Sequence, residues 1–381
     1  MKGHIRQRSP GHWAIILDIH KDGTRKRKWH SFKGTKREAQ DECARLISTM
    51  KEGSYVETSK LTVGRHLLDR LAQWETKIGH KTAERYRELI NNQIIPHLGA
   101  KQLQKLKAID IERWHNTLVT TGRKDGAGGV SARTVGHAHR VLSKALKEAA
   151  RFDLVVKNVA SVEKPPKVER ENEIQIVEEH RLREMLERLR GQPIYPKVVL
   201  AVFTGLRRGE LLALRWRHMH LDRKILEVRE ALEQTTAHGI QVKPPKSKAG
   251  RRDITLPEIV VEALREHRRT QLEHRMRLGL GRLPDDDDLI FPAPAGGLTS
   301  PHALTVEWSE IADSIGMADI TFHALRHTHA SQLIDAGVDV VTISRRLGHS
   351  SPNVTLGTYA HFFRQQDDKA ARAINEALAK W

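Results

Sequence analysis

The chain has 381 residues and carries 65 Lys and Arg against 47 Asp and Glu, a formal net charge of +18. Its 39% hydrophobic and 29% charged residues exclude a disordered or fibrous chain and predict a globular protein of two or three domains. No apolar run approaches the roughly 18 residues of a membrane span, and the single cysteine, Cys43, excludes an internal disulfide and a cysteine-based zinc site. The charge favours a polyanionic partner such as nucleic acid, with a basic enzyme lacking such a partner as the alternative.

The positive charge is concentrated at the N-terminus, where residues 1–37 contain eleven Lys and Arg against two Asp. Trp13–Ile19 and Arg25–Phe32 have strand character, and Asp22-Gly23 between them predicts a tight turn. Thr35–Glu38 has the spacing of a capping box and predicts that a helix follows. A basic ribbon of this kind fits a DNA groove, although a solvated hairpin is the alternative. The candidate DNA contacts are Arg25, Lys26, Arg27 and Lys28.

The next part of the chain has a helical pattern. Over residues 61–158 apolar side chains recur at helical spacing, and breaks at Pro96 with Gly99 and at Gly122–Gly129 divide the segment into four or five helices. This pattern predicts a compact bundle with the apolar stripes as its core. The charged, proline-containing segment Lys164–Lys167 predicts a linker. Beyond it the pattern is helical, turns to strands within 225–256, and becomes helical again.

The first segment with chemical potential after the linker is TGLRRGELL at residues 204–212. Gly205 is expected to end one helix, and the next begins near Arg207. The free N–H groups at a helix start, together with a guanidinium group, favour phosphate oxygens. Glu210 lies one turn further on the same face and could brace Arg207. An ordinary surface salt bridge is the alternative.

The second segment, residues 240–256, predicts a hairpin whose strand-like ends flank a loop. Lys246 and Lys248 lie near the tip of that loop. A lysine in this position can donate a proton or act as a point charge, although a solvated lysine is the alternative.

The third segment combines histidine, arginine and tyrosine. His323 and Arg326 lie one helical turn apart on one face, His349 falls in a tight turn, and Tyr359 follows about two turns into the next helix. His323 and His327 have the spacing of a zinc-ligand pair. No Glu follows His323 and no third ligand is evident, so we predict no metal site.

In chain order, Arg207, a loop lysine, His323-x-x-Arg326, His349 and Tyr359 resemble the catalytic pattern of the tyrosine recombinase family, the phage-type integrases. The spacing of ten residues from His349 to Tyr359 fits the integrase branch of that family. The resemblance covers the whole chain and implies a multidomain, mainly α fold with small β elements. The implied domains are an arm-type DNA-binding domain of β-hairpin or three-stranded sheet plus helix at 1–55, a helical core-binding DNA-binding domain at 60–160, and an α+β catalytic domain at 174–381.

The resemblance also implies a chemistry. A tyrosine attacks a DNA phosphodiester and becomes a 3′-phosphotyrosine, two arginines hold the phosphate oxygens, histidines serve the tyrosine oxygen and the phosphate, and a lysine protonates the leaving 5′ oxygen. No metal or nucleotide cofactor is expected, because the bonds broken and made are alike. The implied residues are Tyr359 as nucleophile, Arg207 and Arg326, His323 at the tyrosine oxygen, His349 at the phosphate, Lys246 with Lys248 as the alternative, and Glu210 in support.

The implied function is site-specific recombination by a phage or integrative-element integrase, with integration and excision both open. The expected partners are double-stranded DNA attachment sites and three further copies of this chain in a synaptic tetramer, with a host DNA-bending protein and an excision factor as candidates. The expected place is the cytoplasm of a bacterial host, on the nucleoid and away from any membrane. The alternatives are a non-catalytic DNA-binding regulator on the same fold and a metal-dependent nuclease, which EDTA would inhibit.

The end of the sequence has an apolar stripe at helical spacing. Docking of this stripe on a neighbouring protomer and packing on its own domain both remain open. The stripe consists of Ala370, Ile374, Ala377, Leu378 and Trp381.

Overall fold

The computed structural model describes residues 2–21, 24–51, 55–168, 174–279, 287–294, 296–363 and 374–379. The chain divides into two compact units, Met1–Glu169 and Arg170–Trp381. Helices predominate and the sheets are small, so the predicted fold class is confirmed. The first unit holds both the predicted arm domain and the predicted bundle, whose separation into two domains stays a prediction. Within the described ranges, no helix is long and apolar enough to cross a bilayer.

A three-stranded antiparallel sheet begins the first unit. Its second and third strands form the predicted ribbon, in a register that sets Asp18 opposite Arg27. The Asp22-Gly23 turn lies outside the described residues. The strands follow the order β1 (Lys2–Ser9), β2 (His12–Lys21) and β3 (Thr24–Lys33).

The helix α1 (Lys36–Lys51) covers one face of this sheet. It begins with the predicted capping box, since the Glu38 N–H donates to Thr35 Oγ1 (3.3 Å) and the Thr35 N–H donates to Glu38 Oε2 (2.8 Å). Side chains alternate along a strand, so Ile15 and Leu17 of β2 share a face. They form a small core with two residues of α1, Cys43 and Leu46.

The rest of the first unit is the helical bundle. A π-helical turn, Ile90–Ile94, joins two of its helices without a break. Pro96 follows it, and because proline has no N–H for the carbonyl four residues earlier, the regular hydrogen-bond ladder cannot continue there. The core includes Leu67, Ile94, Trp114 and Leu142. The helices are α2 (Val63–Glu75), α3 (His80–Leu89), α4 (Ile95–Leu98), α5 (Ala108–Thr121) and α6 (Ala132–Arg151).

The second unit is mainly helical and centres on one buried helix, α8, which packs against α10 and α12. Its residues 198–202 are all at most 1% exposed, which makes it the core of the unit. The helices are α7 (Glu179–Leu189), α8 (Tyr195–Thr204), α9 (Arg208–Leu212), α10 (Glu258–Arg277), α11 (Pro301–Ser314), α12 (Ala324–Asp335), α13 (Val340–Leu347) and α14 (Pro352–Phe363).

The strands of this unit correct one prediction. Residues 240–256 do not form a hairpin, because their two strands, β7 (Gly239–Lys243) and β8 (Arg252–Thr255), belong to different sheets. β7 pairs with β6 (Ala231–Thr235), whereas β8 pairs with β5 (Ile225–Val228), which in turn pairs with β4 (Met219–His220). The lysine-bearing segment therefore connects two sheets.

Candidate active site

Arg207 and Glu210 form a pair at the start of α9. Gly205 ends α8 with a left-handed backbone, and Arg207 then caps α9. The Glu210 carboxylate accepts the Arg207 N–H on Oε2 (3.0 Å) and Arg207 Nη1 on Oε1 (2.8 Å). The Glu210 side chain is only 3% exposed, while that of Arg207 is 42% exposed. A buried carboxylate thus holds an arginine that remains open to solvent.

The charge of Glu210 is maintained by its neighbours. Burial alone would raise the pKa of Glu210, but Arg252 and Arg207 outweigh burial and hold the pKa below its ordinary value. The carboxylate is therefore ionised at neutral pH and available to both guanidinium groups.

Arg326, in the first turn of α12, reaches the ends of two other helices. Its Nη1 donates to the Gly205 carbonyl, and its Nη2 donates to the Leu347 carbonyl (2.7 Å). Arg207 Nη2 donates to the carbonyl of the next residue, Gly348 (3.1 Å). Burial, reinforced by Arg207, lowers the pKa of Arg326 to about 9, which leaves it charged at neutral pH. Two guanidinium groups are thus held at consecutive carbonyls.

His349 accepts a hydrogen bond from Arg326. The distance from Arg326 Nη2 to His349 Nε2 is 2.9 Å, and because arginine can only donate, the ring proton of neutral His349 lies on Nδ1. That nitrogen donates to Thr355 Oγ1 (2.8 Å). Burial, followed by Arg326, lowers the pKa of His349 to about 4. Thr355, a fully buried residue, was not identified from the sequence.

The Tyr359 hydroxyl lies 2.7 Å from Nδ1 of His327. The family resemblance implied His323 at this position, but His323 packs edge-on against the His327 ring, with 4.8 Å between ring centroids. Burial and then His323 lower the pKa of His327 to about 4. Burial raises the pKa of Tyr359 to about 12, although Arg326 opposes this shift.

Tyr359 is buried in this structure. It is 1% exposed and packs in a small cluster with Ala330, Ile334, Ile343 and Leu347. The Tyr359 ring is thus enclosed by apolar side chains, while its hydroxyl contacts His327.

The two candidate lysines lie on the segment between β7 and β8. Lys246 and Lys248 are both exposed, and Lys248 begins a short 3₁₀ turn that ends at Gly250. Both lysines remain candidates for the proton donor.

Two arginines of this unit, the buried Arg252 and the half-buried Arg346, were not identified from the sequence. Arg252 Nη2 lies 2.9 Å from Glu210 Oε2, and both side chains are less than 8% exposed. Arg346 donates to His329 Nε2 (3.0 Å) and to the Phe203 carbonyl (3.0 Å). In the sequence Arg252 follows the basic loop and looks solvent-exposed. Only the inward side of β8 reveals its burial.

The basic ribbon of the first unit presents a mixed surface. Arg27 Nε lies 3.1 Å from Asp18, and Lys28 Nζ lies 3.2 Å from Glu57. The DNA contacts proposed here stay predictions. The side chains of the other two candidates, Arg25 and Lys26, are not among the described ones.

Two further predictions concern metal and the tail. Among the described residues, no group of three His, Cys, Asp or Glu side chains could hold a metal ion. Residues 374–378 are helical, and Ile374 and Leu378 are 60% and 52% exposed. The stripe residues Ala370 and Trp381 lie outside the described residues.

Comparison with known proteins gives a consistent result. The model of the phage integrase family matches residues 175–366, and that of the phage integrase N-terminal SAM-like domain matches residues 71–119. The chain is 26% identical to a protein named "Tyrosine recombinase XerC-like" from Caldanaerobacter subterraneus subsp. tengcongensis, over 96% of each chain.

Two solved structures have a similar fold. The first is the Tn1549 transposon integrase in complex with a circular intermediate DNA, with 21% identity and a TM-score of 0.69 over 84% of this chain and 99% of that chain. The second is a lambda integrase tetramer bound to a Holliday junction, with 18% identity and a TM-score of 0.52 over 91% of this chain and 96% of that chain.

Proposed function

This chain belongs to the phage integrase family of tyrosine recombinases, and from that premise we propose how its residues cut and rejoin DNA. Tyr359 attacks the phosphorus of a scissile phosphodiester and forms a 3′-phosphotyrosyl bond, which releases a 5′ hydroxyl. Attack by the 5′ hydroxyl of another strand reverses the step and rejoins the DNA. The covalent bond conserves the energy of the phosphodiester, so the cycle needs no nucleotide cofactor.

The single observation that carries this proposal is the paired placement of two arginines. Arg207 and Arg326 donate to the consecutive carbonyls of Gly348 and Leu347, so their guanidinium groups lie close together. Two such donors can hold the non-bridging oxygens of a phosphate and stabilise the charge of the pentacoordinate transition state. Their positions are set before DNA binds.

Proton transfer completes the set. We assign His327, rather than His323, to the phenol proton, because its Nδ1 lies 2.7 Å from the Tyr359 hydroxyl. His349, fixed in orientation by Arg326 and Thr355, is assigned to the phosphate. The leaving 5′ oxygen takes its proton from a lysine of the exposed segment, Lys246 or alternatively Lys248.

The proposed substrate is double-stranded DNA at attachment sites, and the proposed assembly is a tetramer of this chain. The net charge of +18 and the DNA complex of the similar Tn1549 integrase support the first. The tetrameric lambda integrase on a Holliday junction supports the second. In such an assembly, the exposed Ile374 and Leu378 would dock on a neighbouring protomer. A host DNA-bending protein and an excision factor stay candidate partners.

The test is the trapping of a covalent adduct on a nicked attachment-site substrate. Tyr359→Phe removes the nucleophilic oxygen but keeps the ring, so it should bind DNA normally and form no adduct. Tyr195→Phe, a half-buried tyrosine at the start of α8, is the matched control and should retain the adduct. An adduct with the Tyr359 variant would exclude this nucleophile. DNA binding without any adduct in the unmodified chain would favour the non-catalytic regulator.

A further inference from the structure

Arg252 lies where three segments of the active site meet. Its side chain is only 7% exposed. Its Nη2 donates to Glu210 Oε2 (2.9 Å), its Nε to the Arg346 carbonyl (2.6 Å) and its Nη1 to the Gly250 carbonyl (3.0 Å). A guanidinium group is planar and presents its N–H groups in a fixed fork. The three bonds therefore fix β8, α9 and the end of α13 relative to one another.

The first of these bonds connects Arg252 to Arg207. Glu210 accepts Arg252 on one carboxylate oxygen and Arg207 Nη1 on the other (2.8 Å). A buried carboxylate between two guanidinium groups cannot turn without losing a charge-assisted bond. If Arg252 were absent, Glu210 would keep only one of its two cationic partners, and Arg207 would be held by a less constrained carboxylate.

The bond to the Gly250 carbonyl connects Arg252 to the lysine-bearing segment. Gly250 is the last residue of the 3₁₀ turn that begins at Lys248, and β8 follows directly. The Arg252 bond to the Gly250 carbonyl therefore anchors one end of the segment that carries Lys246 and Lys248. The other end leaves β7, which belongs to a different sheet.

The bond to the Arg346 carbonyl lies beside the helix end that holds both catalytic arginines. The Arg346 carbonyl directly precedes those of Leu347 and Gly348, which accept Arg326 and Arg207. Gly348 also packs directly on the guanidinium group, because a Cβ atom added there would lie 2.6 Å from Arg252 Nη1. Arg252 thus contacts α9, the end of α13 and the lysine-bearing segment, but not α12 or α14.

We propose that Arg252 is a positioning residue for DNA cleavage: through Glu210 it orients Arg207 on the phosphate, and through Gly250 it anchors the segment of the proton-donating lysine. This inference rests on the proposed function, and Arg252 itself touches no DNA in it. The competing explanation is a buried ion pair that contributes only to folding, which is a common role for such pairs. The two explanations differ in whether the loss of cleavage rate in an Arg252 variant depends on the chemistry of the substrate.

The first experiment varies the charge of the scissile phosphate. Arg252→Ala should slow adduct formation on ordinary DNA by about 100-fold, the scale of a small misplacement of a reacting group. On a methylphosphonate at the scissile position, a methyl group replaces one charged oxygen, so a misplaced Arg207 matters less. The deficit relative to the unmodified chain should then shrink to about tenfold or less, as it should for Arg207→Ala. An equal deficit on both substrates would overturn the proposal.

The second experiment removes the need for a proton donor. A sulfur in place of the bridging 5′ oxygen leaves without protonation, because a thiolate is a much better leaving group than an alkoxide. If Arg252 anchors the lysine segment, the 5′-thio substrate should recover part of the activity that Arg252→Ala loses on ordinary DNA. No recovery would remove the lysine half of the proposal.

Two variants guard against a simple failure to fold. Arg346→Ala removes a half-buried arginine, which binds two carbonyls and His329 but no catalytic side chain, so its deficit should be the same on every substrate. Arg252→Lys keeps a cation beside Glu210 without the fork and should fall between the alanine variant and the unmodified chain. A lysine variant as active as the unmodified chain would overturn the role of the fork.

The outcomes also separate this inference from the proposed function. If the unmodified chain forms no adduct through Tyr359, the proposed function fails. If it does, and Arg252→Ala cleaves all three substrates at the unmodified rate, only the positioning role fails. Thermal unfolding and DNA-binding measurements on each variant show that the compared proteins are folded.

Discussion

Burial keeps the histidines of the active site neutral. His327 and His349 both have a pKa lowered to about 4, and the fully enclosed His329 has a pKa lowered to about 3, in each case mainly by desolvation. A neutral imidazole has one acceptor nitrogen. His349 uses it to accept from Arg326, and the proposed mechanism has His327 use it to take a phenol proton. A protonated imidazole has no acceptor nitrogen, so protonation would remove the role of each of these two histidines.

This leads to a pH prediction for His327. The proposed role of His327 requires its neutral form, and its pKa of about 4 lies below the ordinary value of about 6.5. Cleavage should therefore continue as the pH falls from 7 to 5 and decline only near pH 4. The measurement is the second-order rate of adduct formation with DNA in excess of the protein but below saturation, which reports on the free protein.

The same measurement separates the two adjacent histidines. His327→Ala should slow adduct formation by about 10²–10⁴-fold, the usual range for a general base, whereas His323→Ala should cost less. The assignment of His327 is wrong if His323→Ala abolishes adduct formation and His327→Ala retains it. A decline centred at pH 6.5 would also count against it.

At the scale of secondary structure, the site is assembled at helix ends. The carbonyl at the end of α8 accepts Arg326, and those at the end of α13 accept Arg326 and Arg207. The last carbonyls of a helix have no partner within the helix, so they are free to accept side chains. Gly348 ends α13 with φ +66°, a conformation that costs other residues roughly 1–2 kcal/mol.

Gly348→Ala should therefore be more harmful than the same change at a comparable helix end. Gly337, which follows α12, also has a positive φ (+81°), but nothing lies within 4 Å of an added Cβ. Both variants should lose the part of the free energy of unfolding that a positive φ costs a residue other than glycine. Gly348→Ala should lose about 1–3 kcal/mol more, because its methyl group displaces Arg252. Urea unfolding measures the difference in the free energy of unfolding. Equal losses would mean that the contact between Gly348 and Arg252 is easily relieved.

At the scale of the whole molecule, the charge distribution favours binding of DNA. The first 37 residues supply about half of the net charge of +18. The ribbon also contacts the segment between α1 and α2, since Lys28 pairs with Glu57 and the Tyr55 hydroxyl lies 3.0 Å from His30 Nε2. Substitution is a cleaner test of the ribbon than deletion, because deletion would also remove this packing.

Replacement of Arg25 and Lys26 with glutamine should weaken binding to DNA that carries arm-type sites. Each lost phosphate contact should reduce the slope of log K against log salt by about 0.9, because fewer counterions are released. The matched control is the loss of two arginines of α7, Arg183 and Arg188, each paired with a glutamate of its own helix. An unchanged salt slope in the ribbon variant would remove the support for the arm assignment.

The local features of the molecule could be predicted from the sequence, because they depend on residues close together in the chain. Capping by Thr35 and Glu38 and the helix end at Gly205 both involve neighbours within a few positions. The family resemblance also came from local motifs in a fixed order, and it is confirmed.

The contacts that make the site needed the tertiary structure, because they join residues far apart in sequence. Arg207 and Gly348 are 141 positions apart, and Arg326 and Gly205 are 121 apart. Strand partners were misjudged for the same reason: neighbouring strands pair by default, but here a second ribbon intervenes and β8 pairs with β5. Spacing alone does not distinguish His323 from His327, which lie one turn apart on the same helix face, so only packing decides which of them reaches Tyr359.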